Sequence, residues 1–508
     1  MKNRISLHFP GHKKTDPSSP RRKGRYKQWV HKYQDVEKQD GYYLSYIALP
    51  LLLVYVIECF ARHSLLGGLQ FLITHPFPYL INACIITTSL TAALAIRKRI
   101  GVIILISFFW LFCGIANGIV LIFRVTPLSG SDLSLWKDGI DIASRYMNIW
   151  GFLLIGLLIL IVSTFFVTLF FQTPHAEKKP AYFRSVTAMI VSFFITWGAV
   201  IAGQQATLLE TEFRELSVSY KNNGFLYCFG ASLIDTGISK PKDYSEETIE
   251  QLTEHYETQG ETEDPEQIVY AHKPNVVIVQ LESFFDVNRL KNVVFSENPL
   301  PNFTKLYQEC ASGAFSVPVI GAGTVNSEFE VLTGLNIDDF GIGEYPFKTI
   351  VKEKPCESIA YDLKAHDYFT FAIHNHEGTF YERNMVYPNL GFDVFSSVEY
   401  MWPEQYTALD WTKDTVLIDQ IRKALDSTPA QDLVYAVSVQ GHGSYPTDPD
   451  TEYQKHITVT GSGDMSEEYL NQIRYYVNQL YETDQFIGEL MKMLSERPEA
   501  TILVLYGD

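Results

Sequence analysis

The stretch Asn275-Val276-Val277-Ile278-Val279-Gln280-Leu281 is an apolar run of strand length that ends at an acidic residue, Glu282. Three further runs of the same kind follow it, over residues 368–373, 433–439 and 501–506. Helical patterns lie between these runs. The sequence from residue 273 onward therefore predicts an α/β sheet that is buried on both faces.

Polar and reactive residues follow each of the four runs. They are Glu282, then His374, Asn375 and His376, then Gln440, Gly441 and His442, and finally Gly507 and Asp508. Ligands of open α/β sheets bind beyond the carboxyl ends of the strands, so these residues are expected to share one site.

Thr324 is a candidate reactive residue. It follows the turn Gly321-Ala322-Gly323 and occupies the position of a helix N-cap, where the helix dipole favours an alkoxide over an alcohol. The alternative is that Thr324 only caps the helix. Together with Glu282 and Asp508 it offers three oxygen ligands, a set that suits manganese or magnesium.

Composition excludes several classes of function. The 508 residues carry a net charge of −17, which argues against a nucleic-acid partner. The six cysteines show neither CxxC nor Cys/His ligand spacing, so the sequence predicts no zinc site and no disulfide framework.

The first half of the chain predicts a membrane domain. Apolar runs of spanning length lie near residues 44–60, 79–96, 100–123, 149–171 and 186–203. So many runs in one region are poorly explained by buried core helices. Basic residues concentrate in the N-terminal tail, in Arg97-Lys98-Arg99 and in residues 178–184. The positive-inside rule therefore places the N-terminus in the cytoplasm and everything after residue 203 outside the cell.

These patterns divide the chain into four parts. They are a basic cytoplasmic tail (1–43), a five-span transmembrane domain (44–204), a linker with helices (205–272) and an outer α/β domain (273–508). In the outer loop at residues 123–133, Arg124 could hold a lipid phosphate or only snorkel to the membrane surface.

The chain resembles the lipoteichoic acid synthase family, membrane enzymes of the sulfatase-like branch of the alkaline phosphatase superfamily. The resemblance rests on the five spans, Leu281-Glu282-Ser283, the Gly-x-Gly-Thr turn followed by Ser327-Glu328-Phe329, and Tyr506-Gly507-Asp508. It implies a polytopic helical membrane domain joined to an extracytoplasmic sulfatase-like α/β domain, located in the cell membrane.

The resemblance also implies roles for individual residues. Glu282, Thr324 and Asp508 would bind one divalent ion, usually manganese, with magnesium as the alternative. Thr324 would attack phosphatidylglycerol, release diacylglycerol and pass glycerol phosphate to a glycolipid or polyglycerolphosphate acceptor. Arg383, in Phe380-Tyr381-Glu382-Arg383, would bind the phosphate beside Tyr381, as a guanidinium can donate two hydrogen bonds at once. Without the resemblance, a surface salt bridge explains Arg383 equally well.

His442 matches a substrate histidine of the family and could bind phosphate or protonate the leaving alkoxide. The residues that follow it, Gly443-Ser444-Tyr445-Pro446, differ from the family pattern, which leaves the acceptor open. For His374 and His376 we expect structural roles.

The sequence departs from the family at its end. The family continues Gly-Asp-His and uses that histidine as a metal ligand, whereas this sequence stops at Asp508. We therefore expect a catalytic domain truncated at the C-terminus, with an unpaired edge strand and an under-coordinated metal. The activity of the truncated chain is left open.

Three alternatives compete with the transferase. A sulfatase is disfavoured because Thr324 lies outside the required Cys/Ser-x-Pro-x-Arg frame. Phosphoethanolamine transfer and phospholipid phosphodiester hydrolysis use the same nucleophile and metal, and both stay open. A non-catalytic member that binds glycolipid or a cell-wall partner stays open as well.

Overall fold

The computed structural model describes residues 41–123, 126–134, 149–173, 180–211, 213, 215–235, 237, 244–260, 273–319, 323–461, 463 and 465–508. The chain divides into two compact units. The helical unit comprises residues 1–123, 137–211 and 218–229, and the sheet unit comprises residues 124–136, 212–217 and 230–508. The basic tail, Arg124 and the acidic connector at 261–265 lie outside the described residues.

Apolar helices make up most of the helical unit. The helices from residue 41 to residue 234 are α1 (Gly41–Ala61), α2 (Leu65–Thr74), α3 (Pro76–Leu90, extended by a 3₁₀ turn to Ala95), α4 (Arg99–Phe123), α5 (Ile149–Gln172), α6 (Tyr182–Gln205), α7 (Leu216–Asn223) and α8 (Phe225–Ile234).

Three of these helices are long and apolar enough to cross a membrane by themselves, counting only the part of the chain that the structure describes. They are Pro76–Ala95, Arg99–Ile122 and Tyr182–Gln205. Tyr46–Ala61 and Leu65–Thr74 meet at an angle of 120° and satisfy the same criterion only as a pair. The helices fit the predicted membrane domain, while the count of five spans and the orientation stay predictions.

Helix α8 lies within residues 205–272, the predicted linker with helices, and two polar side chains bind its start. Glu58 of α1 is buried and accepts a hydrogen bond from the backbone N–H of Phe225 at 2.9 Å. Asn82 of α3 accepts one from the N–H of Tyr227 at 3.0 Å. These acceptors satisfy two of the N–H groups that every helix start leaves without a partner.

The sheet unit alternates strands and helices. Its helices are α9 (Glu246–Gly260), α10 (Pro301–Glu309), α11 (Thr324–Thr333), α12 (Ile359–Lys364), α13 (Arg383–Asn389), α14 (Thr415–Ser427) and α15 (Glu467–Ser495). Its strands are β1 (Asn275–Leu281), β2 (Val293–Phe295), β3 (Phe369–His374), β4 (Val394–Ser397), β5 (Asp432–Val437), β6 (Val459–Gly461) and β7 (Thr501–Gly507).

A parallel sheet forms the centre of this unit. Among the described residues it has five strands in the order β4-β3-β5-β1-β7, while β2 and β6 form a separate antiparallel pair. Strand β1 lies between β5 and β7, with Val276 opposite Leu433 on one side and Ile502 on the other. The four predicted runs are therefore neighbours, and their carboxyl ends lie at one edge of the sheet.

Both faces of the sheet are buried, as predicted. Alternate residues of β1 point to opposite faces. Val277 and Val279 pack with α14 and α15, where Phe486 is fully buried. Ile278 packs with α11 and α13, where Phe329 and Tyr387 are fully buried.

Candidate active site

Thr324, Glu282 and Asp508 meet at the carboxyl ends of β1 and β7. Glu282 directly follows β1, Asp508 follows β7, and Thr324 begins α11. The Thr324 hydroxyl donates a hydrogen bond from Oγ1 to Oε2 of Glu282 at 3.3 Å. The backbone N–H of Ser283 donates to Oδ1 of Asp508 at 2.6 Å. The sheet thus brings together three residues that are far apart in sequence.

Thr324 is not the N-cap, contrary to the sequence-based expectation. The N-cap is Gly323, whose φ of 95° lies in the left-handed region that glycine adopts without strain, and Thr324 is the first helical residue. Because no cap bond engages the Thr324 side chain, its hydroxyl can face Glu282. The preceding residues of the turn, Gly321 and Ala322, lie outside the described residues.

The two carboxylates form an electrostatically unfavourable pair. Burial, and next the charge of Asp508, raise the pKa of Glu282 well above its ordinary value. Burial also raises the pKa of Asp508. Within the described residues no cluster of three or more His, Cys, Asp and Glu side chains is placed to hold a metal, so the candidate set consists of two carboxylates and one hydroxyl.

A buried hydrogen-bond network lies beneath Thr324. Gln280 donates from Nε2 to the Thr324 carbonyl at 3.3 Å and to Oδ2 of Asp508 at 3.5 Å. Its Oε1 accepts from the hydroxyls of Tyr435, at 3.0 Å, and Tyr506. Gln280 is a polar residue in an otherwise apolar strand, and this contrast is the sequence signal that could have identified it.

Arg383 is buried and paired with Glu328. It is 1% exposed, and its Nε lies 3.2 Å from Oε2 of Glu328, while its Nη2 bonds Oε1 of the same carboxylate. Nη1 lies 3.2 Å from Nε2 of His374 and 3.3 Å from the Phe380 carbonyl. The salt bridge that was the alternative for Arg383 does form, but in the core and not on the surface.

Tyr381 and Glu382 both adopt left-handed backbone conformations, with φ of 57° and 60°. Such conformations are costly for residues other than glycine and cluster at functional sites. The Tyr381 ring lies 5.5 Å from the guanidinium carbon of Arg383 and 5.9 Å from the ring of Tyr345. Tyr381 is thus placed next to Arg383, as the motif predicted.

His374 occupies a structural position. Burial, and next the charge of Arg383, lower the pKa of His374 well below its ordinary value, so the ring is neutral. Its Nδ1 lies 3.0 Å from the Val437 carbonyl and must donate there, which leaves Nε2 to accept from Arg383. Burial also lowers the pKa of His376.

His442 lies against an aromatic side chain that the sequence pattern did not reveal. Its ring is 4.4 Å from that of Trp411, which is 5.2 Å from the ring of His376. Nδ1 of His442 donates to the Gly443 carbonyl, so Nε2 is the nitrogen left for a substrate. Trp411 lies outside the strand-end pattern that guided the choice of candidates.

Gly441 brings the His442 turn close to Glu282. A Cβ at position 441 would lie 2.2 Å from the Glu282 carbonyl oxygen, closer than any side chain permits. Glycine is therefore required here, and the turn that carries His442 packs directly on the residue after β1.

Comparison with known proteins shows what the sheet unit is similar to. The family model described as sulfatase matches residues 274–508. A putative cyclic beta-1,2-glucan modification protein of Rhizobium meliloti is 30% identical over 290 residues, which are 57% of this chain and 43% of that protein. The lipoteichoic acid synthase-like YvgJ of Bacillus subtilis is 24% identical over 353 residues, 66% of this chain and 52% of that protein. The chain thus spans about half the length of these curated relatives.

Among solved structures, the Streptococcus pyogenes phosphoglycerol transferase GacH in complex with sn-glycerol-1-phosphate is 24% identical. The match covers 54% of this chain and 70% of that chain, with a TM-score of 0.44. Residues 274–508 thus match the sulfatase family model, and the chain is similar to a lipoteichoic acid synthase-like protein.

Proposed function

We propose that this protein is a membrane-anchored, metal-dependent phosphoglycerol transferase that uses Thr324 to attack phosphatidylglycerol. One observation carries the proposal: the Thr324 hydroxyl, at the start of a buried helix, faces Glu282 next to Asp508 at the carboxyl edge of the sheet. The names of the lipoteichoic acid synthase-like relative and of the phosphoglycerol transferase fit this chemistry.

The donor set fits a divalent ion. Burial, and next the charge of Asp508, raise the pKa of the Glu282 carboxyl, and a bound cation would offset the repulsion between the two carboxylates. The guanidinium of Arg383, whose charge also acts on Glu282, is already paired with Glu328. Glu282, Asp508 and Thr324 would hold the ion through oxygen, which suits manganese or magnesium. When bound, the ion would lower the pKa of the hydroxyl and neutralise phosphate charge.

The residues of the chain then have distinct roles. The Thr324 proton leaves along the hydrogen bond to Glu282 as Oγ1 forms a bond to phosphorus, and the bond from phosphorus to the diacylglycerol oxygen breaks. His442, protonated at Nε2, donates its proton to that oxygen, while Nδ1 stays bonded to the Gly443 carbonyl. An acceptor hydroxyl next gives its proton to Nε2 of His442 and attacks phosphorus. The bond from phosphorus to Oγ1 breaks, and Thr324 regains the proton that Glu282 had taken.

Arg383 and Tyr381 are assigned to the phosphate. A guanidinium has five N–H groups, and four of those of Arg383 have acceptors within the described part of the chain. We assign the fifth N–H, on Nη2, to a phosphate oxygen. Glu328 holds the group rigidly, so little conformational entropy is lost when phosphate binds.

The direct test uses full-length protein in membranes with labelled phosphatidylglycerol and manganese. We expect wild type and Thr324→Ser to release diacylglycerol, the serine variant more slowly, and Thr324→Ala to release none above background. Equal release by the wild type and the alanine variant would refute the proposal.

A separate experiment tests the topology. Protease added from outside should cut the sheet unit if it lies outside the cell.

Two substrate choices are separated by the same assay. Release from phosphatidylethanolamine in place of phosphatidylglycerol would identify a phosphoethanolamine transferase or a phosphodiesterase. For the acceptor, we propose a glycolipid or polyglycerolphosphate. The name of the Rhizobium relative favours adding a glucan as the second acceptor to be tested.

A further inference from the structure

Asp414 is a buried carboxylate that the proposed mechanism does not use. It is fully buried and occupies the N-cap position of α14, yet its side chain makes no cap hydrogen bond. An aspartate at an N-cap ordinarily bonds the N–H groups of its own helix. Here the carboxylate turns to the sheet instead.

The carboxylate joins the ends of two strands. Oδ1 accepts hydrogen bonds from Nδ2 of Asn375 at 3.0 Å, from the N–H of Val439 at 3.3 Å and from the N–H of Gln440 at 3.2 Å. Asn375 follows β3, and the other two residues follow β5. One oxygen therefore binds the residues just after β3 and β5, the two strands that lead to the candidate histidines.

The Gln440 side chain bonds both the Asp414 backbone and a residue of α15. The backbone N–H of Asp414 donates to Oε1 of Gln440 at 2.9 Å. Nε2 of Gln440 donates to Oε2 of Glu482 at 2.6 Å, and Lys413 Nζ lies 2.9 Å from the same oxygen. Oδ2 of Asp414 accepts from Thr483 at 3.4 Å. Asp414 thus bonds both Val439 and Gln440, and Gln440 is also bonded to Glu482 of α15.

The turn transmits this constraint to the site. The N–H of His442 donates to the Val439 carbonyl at 3.0 Å and closes the turn. This bond links the histidine directly to a residue that Asp414 holds. Gly441, inside the turn, packs on the Glu282 carbonyl. A shift of Val439 or Gln440 would move His442 relative to Thr324.

We propose that Asp414 is a positioning residue that fixes His442 against the Thr324–Glu282 pair by holding the ends of β3 and β5 together. The inference rests on the proposed function, because it assigns the group that places the proton donor. It concerns the location of the carboxylate and not its charge.

Two variants separate location from charge. Asp414→Asn keeps an acceptor at the Oδ1 position, and its amide can donate to the Thr483 hydroxyl. Asp414→Glu keeps the charge but moves the carboxylate by one methylene. The matched control is Asp432→Glu, because Asp432 is equally buried, lies on β5 at its opposite end, and binds Thr428 away from the site.

The first measurement is diacylglycerol release by the full-length variants, normalised to the folded fraction. We expect Asp414→Glu to lower kcat roughly tenfold to a hundredfold with KM nearly unchanged, since small misplacements of reacting groups have effects of that size. Asp414→Asn should stay within about threefold of wild type, because its acceptor location is retained. An equal kcat loss in Asp432→Glu, or a larger loss in the asparagine variant, would overturn the inference.

A second measurement does not depend on activity. Hydrogen exchange at the Val439 and Gln440 amides should accelerate in Asp414→Glu and stay slow in Asp414→Asn and Asp432→Glu. If wild type releases no diacylglycerol, the proposed function fails while exchange still decides the positioning claim. Unchanged exchange in Asp414→Glu would refute the positioning claim even in an active enzyme.

Discussion

The buried pair of Glu328 and Arg383 provides the sharpest stability prediction. Glu328 is fully buried and accepts three hydrogen bonds, two from Arg383 and one from the Tyr387 hydroxyl at 2.7 Å. Glu328→Gln keeps the shape, but its amide must face one of these donors. It also leaves the Arg383 charge unpaired in the core.

The expected magnitude follows from the burial of the pair. Removing one partner of a buried ion pair costs about 3–5 kcal/mol. For a unit of about 300 residues the same change lowers Tm by roughly 5–8 °C. The control is Asp419→Asn on α14, whose carboxylate lies 3.3 Å from Arg422 and 2.7 Å from Lys423 but is about half exposed. Such surface pairs contribute about 0–1 kcal/mol.

The assay is hydrogen-exchange mass spectrometry of the full-length protein over a urea series, followed on peptides from β1 and β5. These peptides report the opening of the sheet unit alone, so the helical unit does not mask the result. A free energy of opening in Glu328→Gln that equals that of Asp419→Asn would refute the argument that this pair is a desolvated core interaction.

Three further outcomes follow from the structure. Gly441→Ala should destabilise the sheet unit by about 1–3 kcal/mol because its Cβ would clash with the Glu282 carbonyl. The control Gly313→Ala, with open space around it, should be nearly neutral. Equal urea midpoints for the two variants would contradict this prediction. Burial raises the pKa of Asp414 from 3.8 to about 6. At pH values between 3.8 and about 6 the folded state therefore holds a proton that the unfolded state has lost, and the free energy of unfolding falls as pH rises. Wild type should therefore lose about 2.4 kcal/mol relative to Asp414→Asn between pH 4 and pH 7. Parallel pH profiles of the urea midpoint would argue against this linkage. Manganese should raise the Tm of wild type but not of Glu282→Gln or Asp508→Asn, and an equal rise in all three would remove these residues from the proposed metal site.

The sequence was informative wherever function depends on strand ends. Glu282 and Asp508 follow apolar runs that become parallel strands, so the fold class predicts both at one edge of the sheet, and the pairing of β1 with β7 makes them neighbours. Thr324 belongs to the same edge because its helix begins there. Strand β4 was not predicted, since Val394-Phe395-Ser396-Ser397 is short and half polar.

Long-range pairing accounts for what the sequence did not provide. Glu328 was noted only as part of the motif Ser327-Glu328-Phe329, and its partner Arg383 lies on another helix, 55 residues away. Asp414 and Trp411 precede α14 without any motif, and only the packing of the loop brings them to β5. The N-cap was misplaced by one residue because the left-handed φ of Gly323 is set by the turn and not by the composition of the helix.

The central claim is that Thr324 becomes covalently linked to glycerol phosphate. The most direct measurement is peptide mass spectrometry of full-length wild type and Thr324→Ala after brief incubation with phosphatidylglycerol and manganese. The account predicts one glycerophosphoryl group on the wild-type peptide that contains Thr324, and none on the variant. Diacylglycerol release by wild type with the group on another residue, or with no adduct under trapping conditions, would contradict it.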